Sequence, residues 1–377
     1  MGLFDKKPIL YSTFVATGSA LGIIVKELQT IKSYNTEFKH PFINCLILHL
    51  SEFTGIITYY LLYRKEDIEE IRMSQMNSNT KKTQMEIHLI SIPAIFEFFS
   101  TAVGNLSYVN LSASISTMFD GGNTIGVFLL SIFFLKNKHS KYNFIGVGLI
   151  LLGLFFISLS AINDDSQETD LFETFVGILC CLLCNVFSSF HSIAEEYLLK
   201  TRFCHPIKLI GFEGLFGIIF SIFFILAFDQ VKCPIIIESI CIKDDKNDLY
   251  LENLNMAYRQ IIDKKMIFFI LFIQFLIYVF YNYAYITITD VADAATNVVL
   301  FNLTAVFVWI FFLLPIDKEN QEEINFLQII GFFVLTLGVF IYNEIMVGKN
   351  ENNVNDDNNE KKNKLIDSEL VDEPVEE

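Results

Sequence analysis

Long runs of apolar residues, separated by short polar segments, occupy most of the chain between residues 8 and 346. A helix needs roughly 20 apolar residues to cross the hydrocarbon core of a bilayer. Backbone that faces lipid must satisfy its own hydrogen bonds, so each apolar run is expected to be a helix. We therefore predict ten spanning helices, at residues 8–29, 43–63, 87–108, 112–135, 142–162, 171–198, 206–228, 266–288, 291–314 and 324–346.

The polar segments between these runs differ in charge, and the difference predicts an orientation. Cytoplasmic loops carry an excess of Lys and Arg. If the N-terminus is cytoplasmic, the basic clusters fall on the cytoplasmic side, at residues 6–7, 64–82, 136–141, 200–208 and 349–364. Both termini are then cytoplasmic, and the long loop 229–265 lies on the far side. Its Cys233 and Cys241 would pair if that side is oxidising; the sequence leaves this open.

The pattern of small and polar residues repeats between the two halves of the chain. The aligned pairs are Thr117 with Thr296, Asn123 with Asn302, Gly146 with Gly331, and Gly153 with Gly338. Because the fourth and ninth spans would run in opposite directions, the halves would form an inverted repeat, an arrangement typical of secondary transporters. We predict an all-α membrane protein of two inverted five-helix repeats, 1–162 and 163–346, followed by a tail at 347–377.

Composition supports lipid rather than water as the solvent. Apolar residues make up 53% of the chain and charged residues only 19%, whereas a soluble fold needs more charge on its surface. The formal net charge of −16 is concentrated in the tail, which we expect to be disordered and cytoplasmic. The basic patches that nucleic-acid binding requires are missing, so no nucleic-acid partner is predicted.

No sequence motif predicts an enzyme. The chain has no Gly-rich phosphate-binding loop, and neither His191 nor the pair Glu195-Glu196 forms part of an H-E-x-x-H zinc motif. We therefore expect no catalytic residue, no cofactor and no metal.

Four carboxylate residues lie inside predicted spans, and they are the strongest candidates for function. A charge at the centre of a bilayer costs about 3 kcal/mol or more, so it persists only beside a partner or a wet cavity. These residues could bind a cationic solute or carry a coupling proton, although structural pairing stays an alternative. The repeat-related amides are added as candidate hydrogen-bonding groups, though such amides also join helices. The candidate set is Glu52, Glu97, Asp120, Asn123, Glu213 and Asn302.

Several short strings carry a resemblance to a known family. The most specific are His40-Pro41-Phe42, Leu111-Ser112-Ala113-Ser114, His205-Pro206 and Glu213-Gly214-Leu215-Phe216-Gly217. With these strings the chain resembles the drug/metabolite transporter superfamily, and within it the solute carrier 35 family, subfamily F. The resemblance extends over nearly the whole chain up to about residue 346.

The resemblance implies ten helices in two inverted halves, a central cavity, alternating access and an internal membrane such as a lysosome-like, Golgi or mitochondrial one. In the family an Arg often precedes the Gly of the fourth span, where this chain has Asp120, and a basic residue is expected where it has Asn297. If those basic residues bind an anionic substrate in relatives, this chain would carry a solute that is not an anion. We predict a carrier of a small polar solute; the alternative is a membrane scaffold that acts through its acidic tail. Neither a monomer nor a homodimer is excluded.

Overall fold

The computed structural model describes residues 7–34, 36–69, 86–135, 141–162, 171–200, 202, 204–229, 231–234, 238, 240–243, 248–291, 294–314, 322 and 325–342. Within these residues, eight helices are long and apolar enough to cross a membrane, and two shorter apolar helices follow. The protein is an all-α, multi-pass membrane protein. The tail predicted at 347–377 lies outside the described residues.

A helix lies at each of the ten predicted positions, and the helix ends differ from the predicted ends by a few residues. The long helices are α1 Lys7–Thr30, α2 Pro41–Glu69, α3 Ile87–Asn110, α4 Ala113–Phe134, α5 Lys141–Ile162, α6 Leu171–Lys200, α7 Pro206–Phe228 and α9 Lys265–Val291. Between α7 and α9 lies a short polar helix, α8, at Leu254–Asp263. The last two are α10 Ala294–Leu313 and α11 Phe326–Tyr342.

Within the described residues, four two-residue strands accompany the helices and form two antiparallel pairs. Strand β1 (Lys32–Ser33) pairs with β2 (Thr36–Glu37) between α1 and α2. Strand β3 (Ile242–Lys243) pairs with β4 (Leu249–Tyr250) before α8. Both pairs lie in connections between apolar helices, so they do not alter the helical class of the fold.

Helices α2 and α7 pack lengthwise against each other in an antiparallel pair. Along the interface Gly55 meets Gly211, then Glu52 meets Gly214, then the ring of His49 meets Gly217. A methyl group on Gly55 would lie only 3.1 Å from the Cα of Gly211, so small residues set this close approach. The antiparallel contact brings the middle of both helices, and their carboxyl groups, to the same depth.

The ends and breaks of the helices follow from local sequence. Pro41 and Pro206 occupy the first turns of α2 and α7, where a missing amide hydrogen has no cost. Ser112 caps α4 by accepting a hydrogen bond from the amide of Ile115. Inside α4 the helix tightens to a 3₁₀ turn at Asp120–Gly122. A 3₁₀ turn in the middle of a helix often marks a hinge that serves function.

The connection from α7 to α9 is tied to the start of α2. The pairing of Cys233 with Cys241, which the sequence left open, is formed. Buried His40, in front of α2, contacts Glu252 Oε1 through Nδ1 at 2.5 Å and Gln260 Oε1 through Nε2 at 3.0 Å. The described part of this connection therefore packs against the N-terminal end of α2.

Candidate functional site

A cavity of about 230 Å³ lies between α1, α2, α3, α4, α6, α7, α9 and α10. Among the described residues that line it there is no Lys or Arg. Five carboxylate side chains line it instead: Glu52, Glu97, Asp120, Glu195 and Glu213. When ionised, these groups make the cavity strongly negative in the middle of an apolar protein.

One cluster in this region is the α2–α3 triad, formed by His49 and Glu52 of α2 with Glu97 of α3. Nδ1 of His49 lies 3.0 Å from Glu52 Oε2, a hydrogen bond, and 3.9 Å from Glu97 Oε2. The His49 ring is fully buried, and its Nε2 has no hydrogen-bond partner in the described structure. The spacing of His49 and Glu52, one helical turn apart, directs both side chains to one face of α2.

A second cluster is the α6–α7 triad, formed by His191 and Glu195 of α6 with Glu213 of α7. His191 Nε2 lies 3.6 Å from Glu195 Oε1 and 4.0 Å from Glu213 Oε1. The side chains of Glu195 and Glu213 are each 99% buried. The hydroxyl of Tyr285, on α9, donates a 2.8 Å hydrogen bond to Glu195 Oε2, and its ring stacks on that of His191.

The two triads belong to one electrostatic centre. Glu213 interacts electrostatically with Glu195, and also with Glu97 of α3 and Glu52 of α2. Each triad offers one imidazole nitrogen and two carboxylate oxygens, all within 4.8 Å of one another. Nitrogen and oxygen donors at this separation can exchange protons or hold a divalent cation.

Asp120 and Asn123 approach the cavity from α4, apart from the triads. Asp120 begins the 3₁₀ turn Asp120–Gly122, Asn123 follows it, and both side chains line the cavity. Asn123 Oδ1 accepts a 2.6 Å hydrogen bond from Ser189 Oγ of α6, so this amide joins α4 to α6 as well as bordering the cavity. The neighbouring Asn185 donates to the carbonyl of Phe119 at 2.8 Å and reinforces the same junction.

Five of the six residues predicted from the sequence therefore border one cavity: Glu52, Glu97, Asp120, Asn123 and Glu213. The sixth, Asn302, lies in α10, and its side chain is outside the described part of the structure.

Sequence reasoning did not select His49, His191, Glu195 or Tyr285. For the first three a signal existed. His49 and Glu52 are spaced i,i+3, and His191 and Glu195 are spaced i,i+4, so each pair shares a helix face. The expectation of no metal rested on the missing H-E-x-x-H motif, a test that does not detect ligands contributed by different helices.

Comparison with known proteins places the chain in a family. The family profile described as solute carrier family 35 (SLC35F) matches residues 10–242. Solute carrier family 35 member F6 of Rattus norvegicus is 26% identical over 313 residues, which is 82% of this chain and 80% of that protein. The Homo sapiens member F6 is 26% identical over 309 residues, 81% of this chain and 78% of the human protein.

A yeast protein is also similar to this chain, at lower sequence identity. An uncharacterized protein of Schizosaccharomyces pombe is 22% identical over 261 residues, 68% of this chain and 74% of that protein. The profile match covers more than half of the chain, and the matched region includes both triads. The chain is therefore a member of the solute carrier 35 F family and a homologue of member F6.

Proposed function

We propose that this protein is a carrier that moves a small polar solute across an internal membrane by alternating access. The observation that supports this function most is the central cavity, lined by five carboxyl side chains and by no described Lys or Arg. Each carboxyl group buried at this depth costs free energy unless it serves a solute, a proton or a partner. Membership in a family that consists generally of transporters rather than enzymes supports the same conclusion.

The charge of the cavity favours neutral and cationic solutes over anions. An anionic solute would need a basic counterpart, which the described lining does not offer. A cationic or hydrogen-bonding solute would meet Glu52, Glu97 and Asp120 from three different helices. We propose that the same carboxyl groups exchange a proton when the solute enters or leaves, which would couple transport to a proton gradient.

Alternating access requires two halves that rock against each other, and we propose the inverted repeats 1–162 and 163–346 as these halves. Gly146 of α5 packs on the carbonyl of Gly338 of α11, while Gly153 packs on the carbonyl of Gly331. In the sequence alignment, however, Gly146 corresponds to Gly331 and Gly153 to Gly338. A two-fold axis between α5 and α11 would therefore turn the Gly146–Gly338 contact into the Gly331–Gly153 contact, which is the pattern of a self-complementary interface.

The antiparallel pair of α2 and α7 supports the same symmetry. Each of these helices begins with a His-Pro step, His40-Pro41 or His205-Pro206, and the two steps lie at opposite ends of the pair. His40 contacts Glu252 and Gln260, whereas the ring of His205 packs between the aromatic rings of α2. We propose that these two ends are the places where the carrier opens in turn.

Location and orientation follow from the charge pattern and the disulfide. We propose cytoplasmic termini, with the connection between α7 and α9 on the luminal side of an internal membrane. The Cys233–Cys241 bond supports this orientation, because disulfides persist in oxidising compartments and are rare in the cytosol.

Uptake into liposomes tests the proposed function. The purified full chain would be reconstituted and offered a panel of radiolabelled amines, amino acids and neutral metabolites, with and without an imposed proton gradient. We expect uptake of one solute class, stimulated by the gradient. Glu97→Gln and Asp120→Asn should reduce it, while Glu86→Gln, at an exposed position before α3, should not.

The same assay separates the carrier from the scaffold alternative. Deleting residues 349–377 should leave uptake unchanged, because the deletion removes none of the described residues that line the cavity. If correctly folded protein moves no solute of the panel under any gradient, the carrier function is wrong. Loss of the cellular phenotype on tail deletion, with no transport in either form, would favour the scaffold.

A further inference from the structure

Three buried polar atoms of the α6–α7 triad point at one another, and the imidazole nitrogen forms no hydrogen bond with either carboxylate oxygen. They are His191 Nε2, Glu195 Oε1 and Glu213 Oε1, and each lacks a hydrogen-bond partner within the described part of the structure. The separations of 3.6 and 4.0 Å from the imidazole nitrogen exceed hydrogen-bond length. A buried polar atom without a partner costs about 1–3 kcal/mol, so three together indicate a shared ligand.

The distances fit a metal ion between these atoms. Imidazole nitrogen and carboxylate oxygen bind Zn²⁺ at about 2.0–2.2 Å, which places neighbouring donors about 3.0–3.5 Å apart. The two separations from His191 Nε2, 3.6 and 4.0 Å, therefore need to close by only about half an ångström around an ion. Two carboxylates and a neutral imidazole also balance the charge of a divalent cation, which makes burial of both carboxylates far less costly.

The identity of the donors narrows the class of metal. Ca²⁺ and Mg²⁺ prefer sites made of oxygen alone, whereas an imidazole favours first-row transition metals. Three protein ligands beside a cavity also leave a coordination position open to water or solute.

Tyr285 supplies the outer support that metal sites usually have. Its hydroxyl donates to Glu195 Oε2, the oxygen that does not face His191, and so fixes the orientation of the carboxylate. The stacked ring restricts the His191 imidazole from one side. Tyr285 is thus a positioning residue for two of the three donors.

The α2–α3 triad offers the same kinds of metal-ligand atom, but two of its side chains are already hydrogen-bonded to each other. Nδ1 of His49 already shares a hydrogen bond with Glu52, and this bond must break before both atoms can hold an ion. In the α6–α7 triad the His191 nitrogen has no such bond to either carboxylate within the described structure. Together the triads present four Glu and two His from four helices, the inventory used by di-metal carboxylate bundles, although the order of residues along the helices differs.

We propose that His191, Glu195 and Glu213 bind a divalent first-row transition-metal ion at the wall of the central cavity. The α2–α3 triad is a second and weaker position. Binding at this site does not depend on the proposed transport function, because the donors are present whether or not the ion is carried.

Equilibrium binding of Zn²⁺ to the purified full chain in detergent, stripped of metal beforehand, tests the proposal. We expect one tight site. Glu213→Gln and His191→Ala should weaken it at least about 10-fold, and Tyr285→Phe about 10-fold, the loss typical of an outer partner. His88→Ala, at an exposed imidazole beside Glu86, is the matched control and should bind like the wild type.

X-ray absorption of the wild-type Zn²⁺ complex keeps the test independent of how the variants fold. Nitrogen and oxygen neighbours at about 2.0–2.2 Å are expected, whereas a sulfur neighbour at about 2.3 Å would assign the ion to cysteines and overturn the proposal. Absence of tight binding, or unchanged affinity in Glu213→Gln, would also overturn it. Solute uptake measured with metal removed decides the transport function separately, so either idea can fail alone.

Discussion

The imidazole ring of His49 fills the space that a side chain on Gly217 would occupy. This contact between α2 and α7 places the His49 ring where Nδ1 reaches Glu52 at 3.0 Å. Glycine at position 217 is therefore part of what positions the α2–α3 triad, although it carries no functional group itself.

Gly217→Ala should displace the His49 ring and impair transport. The added methyl group would clash with the rigid imidazole, so the hydrogen bond between His49 and Glu52 should be lost. We expect initial uptake to fall roughly tenfold, the equivalent of about 1.4 kcal/mol. The control is Gly148→Ala, since nothing lies within 4 Å of a methyl group there. Equal uptake by both variants would show that the position of His49 is unimportant.

Two adjacent carboxylates of α6 should respond very differently to neutralisation. Glu195 is buried in the α6–α7 triad, whereas Glu196 forms a partly exposed ion pair with Lys200 at 2.8 Å. Glu195→Gln should lower solute uptake by roughly tenfold or more, because it removes a carboxyl group that can exchange a proton or bind a cation in the cavity. Glu196→Gln should change stability by less than about 1 kcal/mol, the usual worth of a surface pair, and leave uptake intact.

Uptake into liposomes at matched protein incorporation compares the two variants. If Glu195→Gln takes up solute as fast as the wild type, the α6–α7 triad takes no part in transport.

Enlarging a glycine at the α5–α11 interface should destabilise the protein. A methyl group on Gly153 would lie 2.6 Å from the amide nitrogen of Leu335 and 2.7 Å from the carbonyl of Gly331. Overpacking of this kind costs about 1–3 kcal/mol, and contact with backbone leaves little room to relax. Thermal unfolding in detergent should show Gly153→Val well below the wild type.

The matched variant Gly148→Val lies on the same helix and faces open space, so its unfolding temperature should stay close to that of the wild type. Similar losses at both positions would mean that valine weakens α5 itself rather than the contact with α11.

Loss of the Cys233–Cys241 bond should destabilise the connection between α7 and α9. The bond closes a short loop, with a sequence separation of 8. The chain-entropy relation for such a loop gives about 2–3 kcal/mol. The free energy of unfolding should fall by the same amount in Cys233→Ser, in Cys241→Ser and in the double variant, because each removes the same cross-link.

Peptide mapping without reduction, on protein isolated from cells with thiols blocked, reads the bond directly. Finding both cysteines reduced would place this connection on the cytoplasmic side and reverse the proposed orientation.

Sequence alone was sufficient to locate the helices and most of the cavity. In a bilayer each helix satisfies its own backbone hydrogen bonds, so the position of a span is a local property of an apolar run. The cost of burying charge is equally local, and it was enough to select Glu52, Glu97, Asp120 and Glu213. All four border one cavity in the structure.

What the tertiary structure decided is which side chains meet. The triads join α2 to α3 and α6 to α7, and Tyr285 reaches Glu195 from α9. A His and a Glu one turn apart occur on many helices without any function, so the pattern gains meaning only from a third carboxylate on a neighbouring helix. Which helices lie side by side depends on close packing between distant parts of the chain, as Gly211 and Gly217 show for α7 against α2, and apolar periodicity does not encode that packing.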